Sequence, residues 1–415
     1  MKKILMTSAL AALALMPASA QKVNKSSGGY PITPVPFTSV KVWNNTFWGQ
    51  RIETSRKVTI PLAFSKCESE GRYKNFERAA HPSDTYDVGK LMPYSFDDTD
   101  PYKTIEGASY VLQTYPDKKL KAYIDSVLDI IAPAQEADGY LYTARTQNPK
   151  HPHFWAGDKR WSMEEDLSHE LYNLGHMVEG AVAHWQATGS RKFLDIAIRY
   201  ADCVVREVGP NPGQACVVPG HQIAEMALCK LYLATGNKKY LDEAKFFLDY
   251  RGKTKIQTEY SQSHKPVLEQ DEAVGHAVRA TYMYAGMADV AALTGDTAYI
   301  HAIDRIWDNI VSKKLYITGG IGYITLRLLC DRETLGIDFD QRQYDMMLRQ
   351  MFMNIWCVMW LPKDVAYAVF VIQRELINER LSNWHTDNIK LQHIERFIRQ
   401  NDFRGLIRWC KWHEC

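Results

Sequence analysis

Residues 181–205 read AVAHWQATGSRKFLDIAIRYADCVV: an apolar helix-forming stretch, a Thr-Gly turn, a short polar segment and a second apolar stretch. A glycine just after a helix supplies the left-handed backbone conformation that ends it. The same plan returns in MALCKLYLATGNKKYLDEAKFFLDY (226–250), in MADVAALTGDTAYIHAIDRIWDNIV (287–311) and, more faintly, in SYVLQTYPDKKLKAYIDSVLDII (109–131). Repetition of one helix–turn–helix unit predicts a fold built by stacking hairpins.

A fifth hairpin is expected from Arg51 to Glu77, and together these imply a toroid of five or six hairpins. The sequence therefore predicts an all-α fold, an (α/α)6 toroid that is complete or lacks one hairpin. The helix before the first Thr-Gly turn has an apolar stripe and an opposite side with histidines and small residues, as an inner-ring helix needs. The stripe comprises Leu171, Leu174, Val178, Ala181 and Trp185, and the other side His169, Tyr172, His176, Gly180 and Ala183.

Three histidines, His169, His221 and His276, stand near the starts of the first helices of three successive hairpins. Because stacked hairpins bring equivalent helix ends to one side of a toroid, we expect the three imidazoles to meet in one cavity. His176 lies one heptad after His169 and is a second-rank candidate for the same cavity. Neutral imidazoles both donate and accept hydrogen bonds, which suits neighbouring sugar hydroxyls.

Other interpretations of these residues stay open. Each histidine alone could be a hydrogen-bonded core residue, and three imidazoles with a water also form a catalytic zinc set. Glu225, one turn after His221, is either a carboxylate that orients that ring or a solvated or core-paired acid. Glu170 points away from His169 and is read as structural, and Asp138 is read as a turn former.

The N-terminal segment indicates export. Lys2 and Lys3 precede an apolar run and Ala18-Ser19-Ala20, so residues 1–20 are predicted to be a signal peptide, with a mature start near Gln21. Residues 21–50 are expected to form an extended arm that wraps the toroid or adds a strand. No later stretch approaches a membrane span. We expect a periplasmic or secreted protein.

The composition limits which classes of binding partner are expected. The formal charge is +2, with acids and bases interspersed, so no footprint for nucleic acid or an anionic membrane is present. Eight cysteines show no regular framework, and a core of this size does not need disulfides. We expect mostly free thiols, with at most one or two bridges. The loop Gln135–Tyr142, an Asp-Gly turn with aromatic residues, is expected to be a wall of the site.

Several ordered blocks between about residues 40 and 322 resemble glycoside hydrolase family 127, the DUF1680 or β-L-arabinofuranosidase type. The blocks are Phe47-Trp48-Gly49 with Arg51-Ile52-Glu53-Thr54, Tyr102-Lys103-Thr104-Ile105-Glu106, Asp138-Gly139-Tyr140-Leu141, His169-Glu170-Leu171-Tyr172 with Gly175-His176, Pro219-Gly220-His221, Glu272-Ala273-Val274-Gly275-His276-Ala277-Val278-Arg279 and Thr318-Gly319-Gly320-Ile321-Gly322.

The resemblance implies an (α/α)6 barrel followed by β-sandwich domains, a furanoside pocket and a retaining mechanism. In that mechanism a zinc-bound cysteine thiolate is the nucleophile and a glutamate the general acid/base, in place of the usual carboxylate pair. Zinc is therefore the expected cofactor. By position, His169, His221 and His276 match family residues that contact the sugar.

The sequence departs from the family after Gly322. The glycine-rich stretch with the acid/base glutamate, the Glu-x-Cys zinc motif and the Cys-Cys pair do not follow, and residues 323–415 contain only two glycines and one proline. A disrupted reading frame or a divergent domain would explain this atypical tail. We divide the chain into the signal peptide (1–20), the arm (21–50), the barrel (51–322) and the tail (323–415).

The sequence thus predicts an exported glycoside hydrolase acting on plant-derived arabinofuranosides, with a glycoside or oligosaccharide as its partner. Loss of the motifs after Gly322 places the activity of this chain in question. Two alternatives remain: an α/α-barrel sugar epimerase or lyase in which His or Tyr is the acid/base, and a non-catalytic sugar-binding remnant.

Overall fold

The structure is a computed structural model that describes residues 37–314, together with Tyr30 and Ile321. The predicted signal peptide and the atypical tail lie outside the described residues, as do the four cysteines from Cys330 onwards. In the described part the fold is helical, and its one β-pairing is an isolated bridge between Val208 and Ala215.

Thirteen α-helical segments occur in residues 37–314, joined by a few short 3-10 and π-helical turns. The α-helices are α1 (Phe47–Thr54), α2 (Ile60–Ser69), α3 (Arg72–Ala80), α4 (Val88–Leu91), α5 (Thr99–Thr114), α6 (Lys118–Ile131), α7 (Thr143–Thr146), α8 (Glu170–Thr188), α9 (Lys192–Glu207), α10 (Ala224–Thr235), α11 (Lys238–Tyr250), α12 (Ala277–Thr294) and α13 (Thr297–Asn309). The 3-10 turns are Phe37–Ser39, Ala132–Ala134 and Val267–Glu269, and the π-helical turns are Ser55–Thr59 and Ile310–Lys314.

The helices form two layers. Helices α5, α8, α10 and α12 pack side by side in chain order, and α6, α9, α11 and α13 each pack against the inner helix that precedes them. Helices α2 and α3 add a pair next to α5 and α6, as the expected hairpin from Arg51 to Glu77 requires. The inner helices all run in one direction, so their N-terminal ends meet on one side.

The Thr-Gly turns end three inner helices in the same way. The hydroxyls of Thr188, Thr235 and Thr294 donate to the carbonyl four residues earlier, at 2.7, 2.7 and 2.6 Å, and accept the N–H two residues later. The glycine that follows each threonine has a φ between 71° and 75°. Asn237 and Asp296 then cap α11 and α13. The repeated turn predicted from the sequence is confirmed.

Helix α8 is buried around its whole circumference from Glu170 to His184. Its residues Leu171, Leu174 and Val178 belong to the main core. On another side, Tyr172 joins Ile223 and Tyr282 in a small separate apolar cluster. This division matches the two sides expected of an inner-ring helix, and it puts Tyr172 next to the starts of the neighbouring inner helices.

Close packing between α8 and α10 depends on a glycine. A Cβ at Gly175 would lie 2.5 Å from Cγ2 of Ile223 and 3.0 Å from the backbone nitrogen of Ala224, well inside van der Waals contact. Gly107 in α5 is also helical, but a Cβ there would meet no atom within 4 Å. The two glycines therefore offer a matched comparison.

Gly175→Ala is expected to lower the free energy of unfolding by about 1–3 kcal/mol, because the added methyl group forces α8 and α10 apart. Gly107→Ala is expected to raise it by about 0.5–1 kcal/mol, because alanine is the better helix former. Urea unfolding followed by circular dichroism measures both. Equal effects of the two substitutions would contradict the close approach at Gly175.

The remaining expectations concern the N-terminal arm, the cysteines and membrane-spanning helices. Among residues 37–46 the structure has a 3-10 turn and no strand, and α1 begins at Phe47, before the expected boundary at residue 50. The four described cysteines, Cys67, Cys203, Cys216 and Cys229, are all free. No helix in the described part is both long and apolar enough to cross a membrane.

Candidate functional site

The three histidines predicted from the sequence lie together in one row. The ring centroids of His169 and His221 are 5.9 Å apart, and those of His221 and His276 are 5.6 Å apart. Phe96 continues the row beyond His169 at 4.9 Å, and Tyr260 continues it beyond His276 at 5.6 Å. Residues far apart in the chain are thus gathered at the N-terminal ends of α8, α10 and α12.

The start of α8 fixes His169. This residue precedes the helix with a φ of 61°, a left-handed conformation that is uncommon for a residue with a side chain. Its side chain does not cap the helix; instead the buried Glu164 carboxylate accepts the N–H groups of Glu170 (2.7 Å) and Leu171 (3.2 Å). The His169 ring turns back so that Nδ1 is 2.5 Å from the Leu167 carbonyl oxygen.

His221 is held by the loop before α10. Its Nδ1 contacts the Gln222 carbonyl oxygen at 2.9 Å. The guanidinium of Arg251 anchors this loop, donating to the carbonyl oxygens of Pro219 (2.6 Å) and Ser261 (2.9 Å). Arg251 also pairs with Glu225 at 3.2 Å, and both side chains are buried.

The prediction that Glu225 orients the His221 ring is wrong. One carboxylate oxygen of Glu225 accepts from Arg251, and the other accepts the backbone N–H of Ile223 at 3.1 Å. Glu225 therefore holds the loop that carries His221 rather than the imidazole. The alternative, a core-paired acid, is the one that the structure has.

His276 caps α12, since its Nδ1 accepts the backbone N–H of Arg279 at 3.4 Å. The backbone N–H of His276 donates to the Tyr260 carbonyl oxygen at 3.0 Å, which ties His276 to the neighbouring loop. The guanidinium of Arg279 donates to the Gly220 carbonyl oxygen at 2.7 Å and lies 4.4 Å from the centre of the Tyr260 ring. Arg279 thus links the His221 and His276 segments.

All three imidazoles are neutral at neutral pH. Burial lowers the pKa of His169 to about 3, and the nearby Arg279 guanidinium lowers it further. Burial and Arg279 also lower the pKa of His276, to about 4, and burial takes the pKa of His221 well below its ordinary value. Removing an imidazolium from water beside a guanidinium is unfavourable, so the protonated forms are suppressed.

The hydrogen bonds at Nδ1 assign the tautomers. In neutral His169 and His221, Nδ1 carries the hydrogen because it faces a carbonyl oxygen, and Nε2 is left as an acceptor. In His276, Nδ1 accepts from a backbone N–H, so Nε2 carries the hydrogen. The rings thus differ in which nitrogen carries the hydrogen, and a sugar hydroxyl is able to engage either kind of nitrogen.

The neutral state of the histidines gives a testable expectation. Because the pKa values of His169 and His276 are about 3 and about 4, their ring 15N signals should remain those of neutral imidazole from pH 8 to pH 5. His→Gln variants assign the signals in histidine-labelled protein. Titration of His169 between pH 8 and pH 5 would contradict the buried, neutral row.

The ring of Tyr172 lies next to the histidine row. The Tyr172 ring is 4.4 Å from the His221 ring on one side and 4.5 Å from the His176 ring on the other. Lys103 of α5 donates to the Tyr172 hydroxyl at 2.8 Å. The structure therefore places His176, the second-rank candidate, behind Tyr172, where burial lowers its pKa well below the ordinary value.

The loop Gln135–Tyr142 does not form a wall of the site, contrary to the sequence-based expectation. Tyr140 and Tyr142 are completely buried, because their rings pack in the core between the layers. Their hydroxyls donate to Glu170 (2.6 Å) and to the Ser168 carbonyl oxygen, so the loop supports the start of α8 from behind. Asp138 accepts the N–H of Tyr140 at 3.2 Å, as a turn former does. The structural role expected of Glu170 is confirmed.

The described residues do not offer a zinc site at the histidines. Within residues 37–314, the one group of three ligand atoms within 4.8 Å of one another is Asp138, Cys203 and Glu207, so the alternative of direct chelation by the three imidazoles is not supported. In that group both carboxylates already pair with Arg160, at 2.6 and 3.1 Å. Burial and the Glu207 and Asp138 charges raise the pKa of the Cys203 thiol to about 12, against the thiolate that zinc needs.

An all-helical double layer, with buried histidine and tyrosine rings gathered at the N-terminal ends of its inner helices, defines an α/α-barrel protein. The family model for the β-L-arabinofuranosidase GH127 catalytic domain matches residues 39–340. The chain belongs to this glycoside hydrolase family, and its helices match those of (α/α)6 structures of the family. The match extends past Gly322, where the sequence blocks end.

Similar proteins include a non-reducing end β-L-arabinofuranosidase of Bifidobacterium longum subsp. longum, 38% identical over 248 residues that cover 55% of this chain and 37% of the relative. The solved GH127 β-arabinofuranosidase BT3674 is 76% identical, with a TM-score of 0.69, over 71% of this chain and 46% of that one. A GH127 β-L-arabinofuranosidase from Geobacillus stearothermophilus T6 is 36% identical, with a TM-score of 0.60, over 67% and 46%. The chain spans less than half the length of these relatives.

Proposed function

We propose that the histidine row binds a terminal β-L-arabinofuranose and that the chain acts as a glycoside hydrolase on plant-derived arabinofuranosides. The observation that carries the proposal is the row itself: three neutral imidazoles with adjacent centroids 5.6 to 5.9 Å apart. Neutral imidazoles both donate and accept hydrogen bonds, which suits the neighbouring hydroxyls of one sugar ring. The names of the relatives supply the sugar, since each is an arabinofuranosidase.

Zinc belongs to the proposal as a family expectation. The described residues do not fit it, because in the group of Asp138, Cys203 and Glu207 both carboxylates already pair with Arg160. The role of the described residues is to bind the sugar: the histidines form hydrogen bonds to its hydroxyls, and the Tyr172 ring packs against His169 and His221.

The test is incubation of the purified full chain with methyl β-L-arabinofuranoside, with and without a zinc chelator, while both binding and products are measured. Release of L-arabinose that the chelator abolishes is the expected result. Binding without release would favour the non-catalytic sugar-binding protein. A product with an inverted carbon centre would favour an epimerase, and an unsaturated product a lyase.

Export is part of the same proposal. Residues 1–20 have the charge, apolar run and small-residue site of a signal peptide, and we propose that they direct the protein to the periplasm or the medium. Expression of the full chain in a bacterial host, followed by fractionation and mass spectrometry, should recover a protein that begins near Gln21. An uncleaved cytoplasmic product would contradict it.

A further inference from the structure

Aromatic rings lead from the histidine row to the protein surface. Phe96, 4.9 Å from the His169 ring, is nearly parallel to Tyr94, with centroids 5.2 Å apart and an interplanar angle of 15°. Trp155 lies 6.4 Å from Phe96 and 6.0 Å from Tyr94. We call Tyr94, Phe96 and Trp155 the aromatic platform. Tyr94 is 48% exposed, whereas Phe96 and Trp155 are half-buried.

The platform is built into the same framework as the histidines. Ser95, between its first two rings, donates from its hydroxyl to the Leu167 carbonyl oxygen at 3.0 Å. The same carbonyl oxygen receives Nδ1 of His169 at 2.5 Å. On the other side, the backbone N–H of Trp155 donates to Nδ1 of the buried His153 at 3.2 Å. These bonds hold the rings at a fixed place relative to the row.

We propose that the aromatic platform binds a second sugar ring, the one to which the terminal furanose is linked. This inference rests on the proposed function, because the furanose held by the histidines sets the starting point. A sugar has an apolar face of C–H groups that packs on an aromatic plane, and a large half-exposed aromatic group continuous with a polar site is typical of ligand binding. The occupant is thus an oligosaccharide rather than a single sugar.

The test compares methyl β-L-arabinofuranoside, which has no second ring, with a β-L-arabinofuranosyl disaccharide. Affinities are measured by titration calorimetry on the full chain and on Tyr94→Ala. The wild type is expected to bind the disaccharide about tenfold more tightly, a gain within the range of aromatic contacts. Tyr94→Ala should lose most of this gain and bind the methyl glycoside unchanged, which also shows that the variant is folded.

Tyr123→Ala is the control, because Tyr123 is an aromatic residue on the outer helix α6 and is 36% exposed. It should keep the affinities of the wild type for both ligands. Equal binding of the two ligands by the wild type, or an undiminished preference in Tyr94→Ala, would overturn the platform proposal alone. Failure of the wild type to bind either ligand would overturn the proposed function and the platform with it.

Discussion

Replacement of Arg251 by methionine is expected to lower the free energy of unfolding by about 3–5 kcal/mol, because it leaves a buried carboxylate without its partner. Arg251 and Glu225 are 1% and 0% exposed, and Arg251 also donates to the carbonyl oxygens of Pro219 and Ser261. Urea unfolding measures the loss. The loop before α10, which Arg251 anchors, carries His221. Sugar binding should therefore weaken in the same variant even under conditions where it remains folded.

A surface pair gives the matched control. Lys238 and Asp242 lie one turn apart on α11 and are both exposed. Lys238→Met should change the free energy of unfolding by less than about 0.5 kcal/mol, as exposed ion pairs contribute little. An equally small effect of Arg251→Met would show that the buried pair does not support the loop.

His221→Phe is expected to weaken binding of methyl β-L-arabinofuranoside by about 10- to 100-fold. His221 is the middle member of the row, with a histidine within 6 Å on either side, and phenylalanine keeps the ring volume while removing both nitrogens. A sugar hydroxyl that faces it would be buried without a partner, which costs about 1–3 kcal/mol. Titration calorimetry gives the ratio of dissociation constants.

His301→Phe serves as the control for this substitution. His301 is exposed on the outer helix α13 and lies outside the cavity, so binding should be unchanged. Unfolding curves for both variants separate loss of binding from loss of structure. Wild-type affinity in His221→Phe would remove the histidine from the binding site.

The hairpins and the meeting of the histidines could be predicted from the sequence because both depend on local, repeated signals. Each Thr-Gly turn ends one helix by bonds within a few residues, so three similar segments predict three similar hairpins. Once the inner helices run in parallel, His169, His221 and His276 must lie at the same end. The family resemblance found in the sequence blocks is confirmed by the family match over residues 39–340.

The supports of the site could not be predicted because they join distant parts of the chain. Phe96 and Ser95 reach the row from the loop before α5, and Arg251 reaches the His221 loop from the end of α11. Periodicity carries no information on such contacts. Spacing along one helix therefore left the role of Glu225 open between orienting His221 and pairing in the core, and the tertiary fold supplies Arg251 as its partner.

The prediction that the loop Gln135–Tyr142 forms a wall of the site is wrong for a related reason. A polar Asp-Gly turn is typical of a surface loop, but Tyr140 and Tyr142 turn inward and donate their hydroxyls to the start of α8. Arg279 lies within a family block, and its sequence signal is a basic residue one turn after a histidine. The charge lowers the pKa of all three histidines of the row.

The most direct measurement of the central claim is a crystal structure of the full chain with methyl β-L-arabinofuranoside. The predicted result is one furanose ring between His169, His221 and His276, with its hydroxyls within hydrogen-bond distance of the three Nε2 atoms and Tyr172 beneath it. A furanoside bound elsewhere, with the three imidazoles making no contact to it, would contradict the claim that the histidine row is the sugar site.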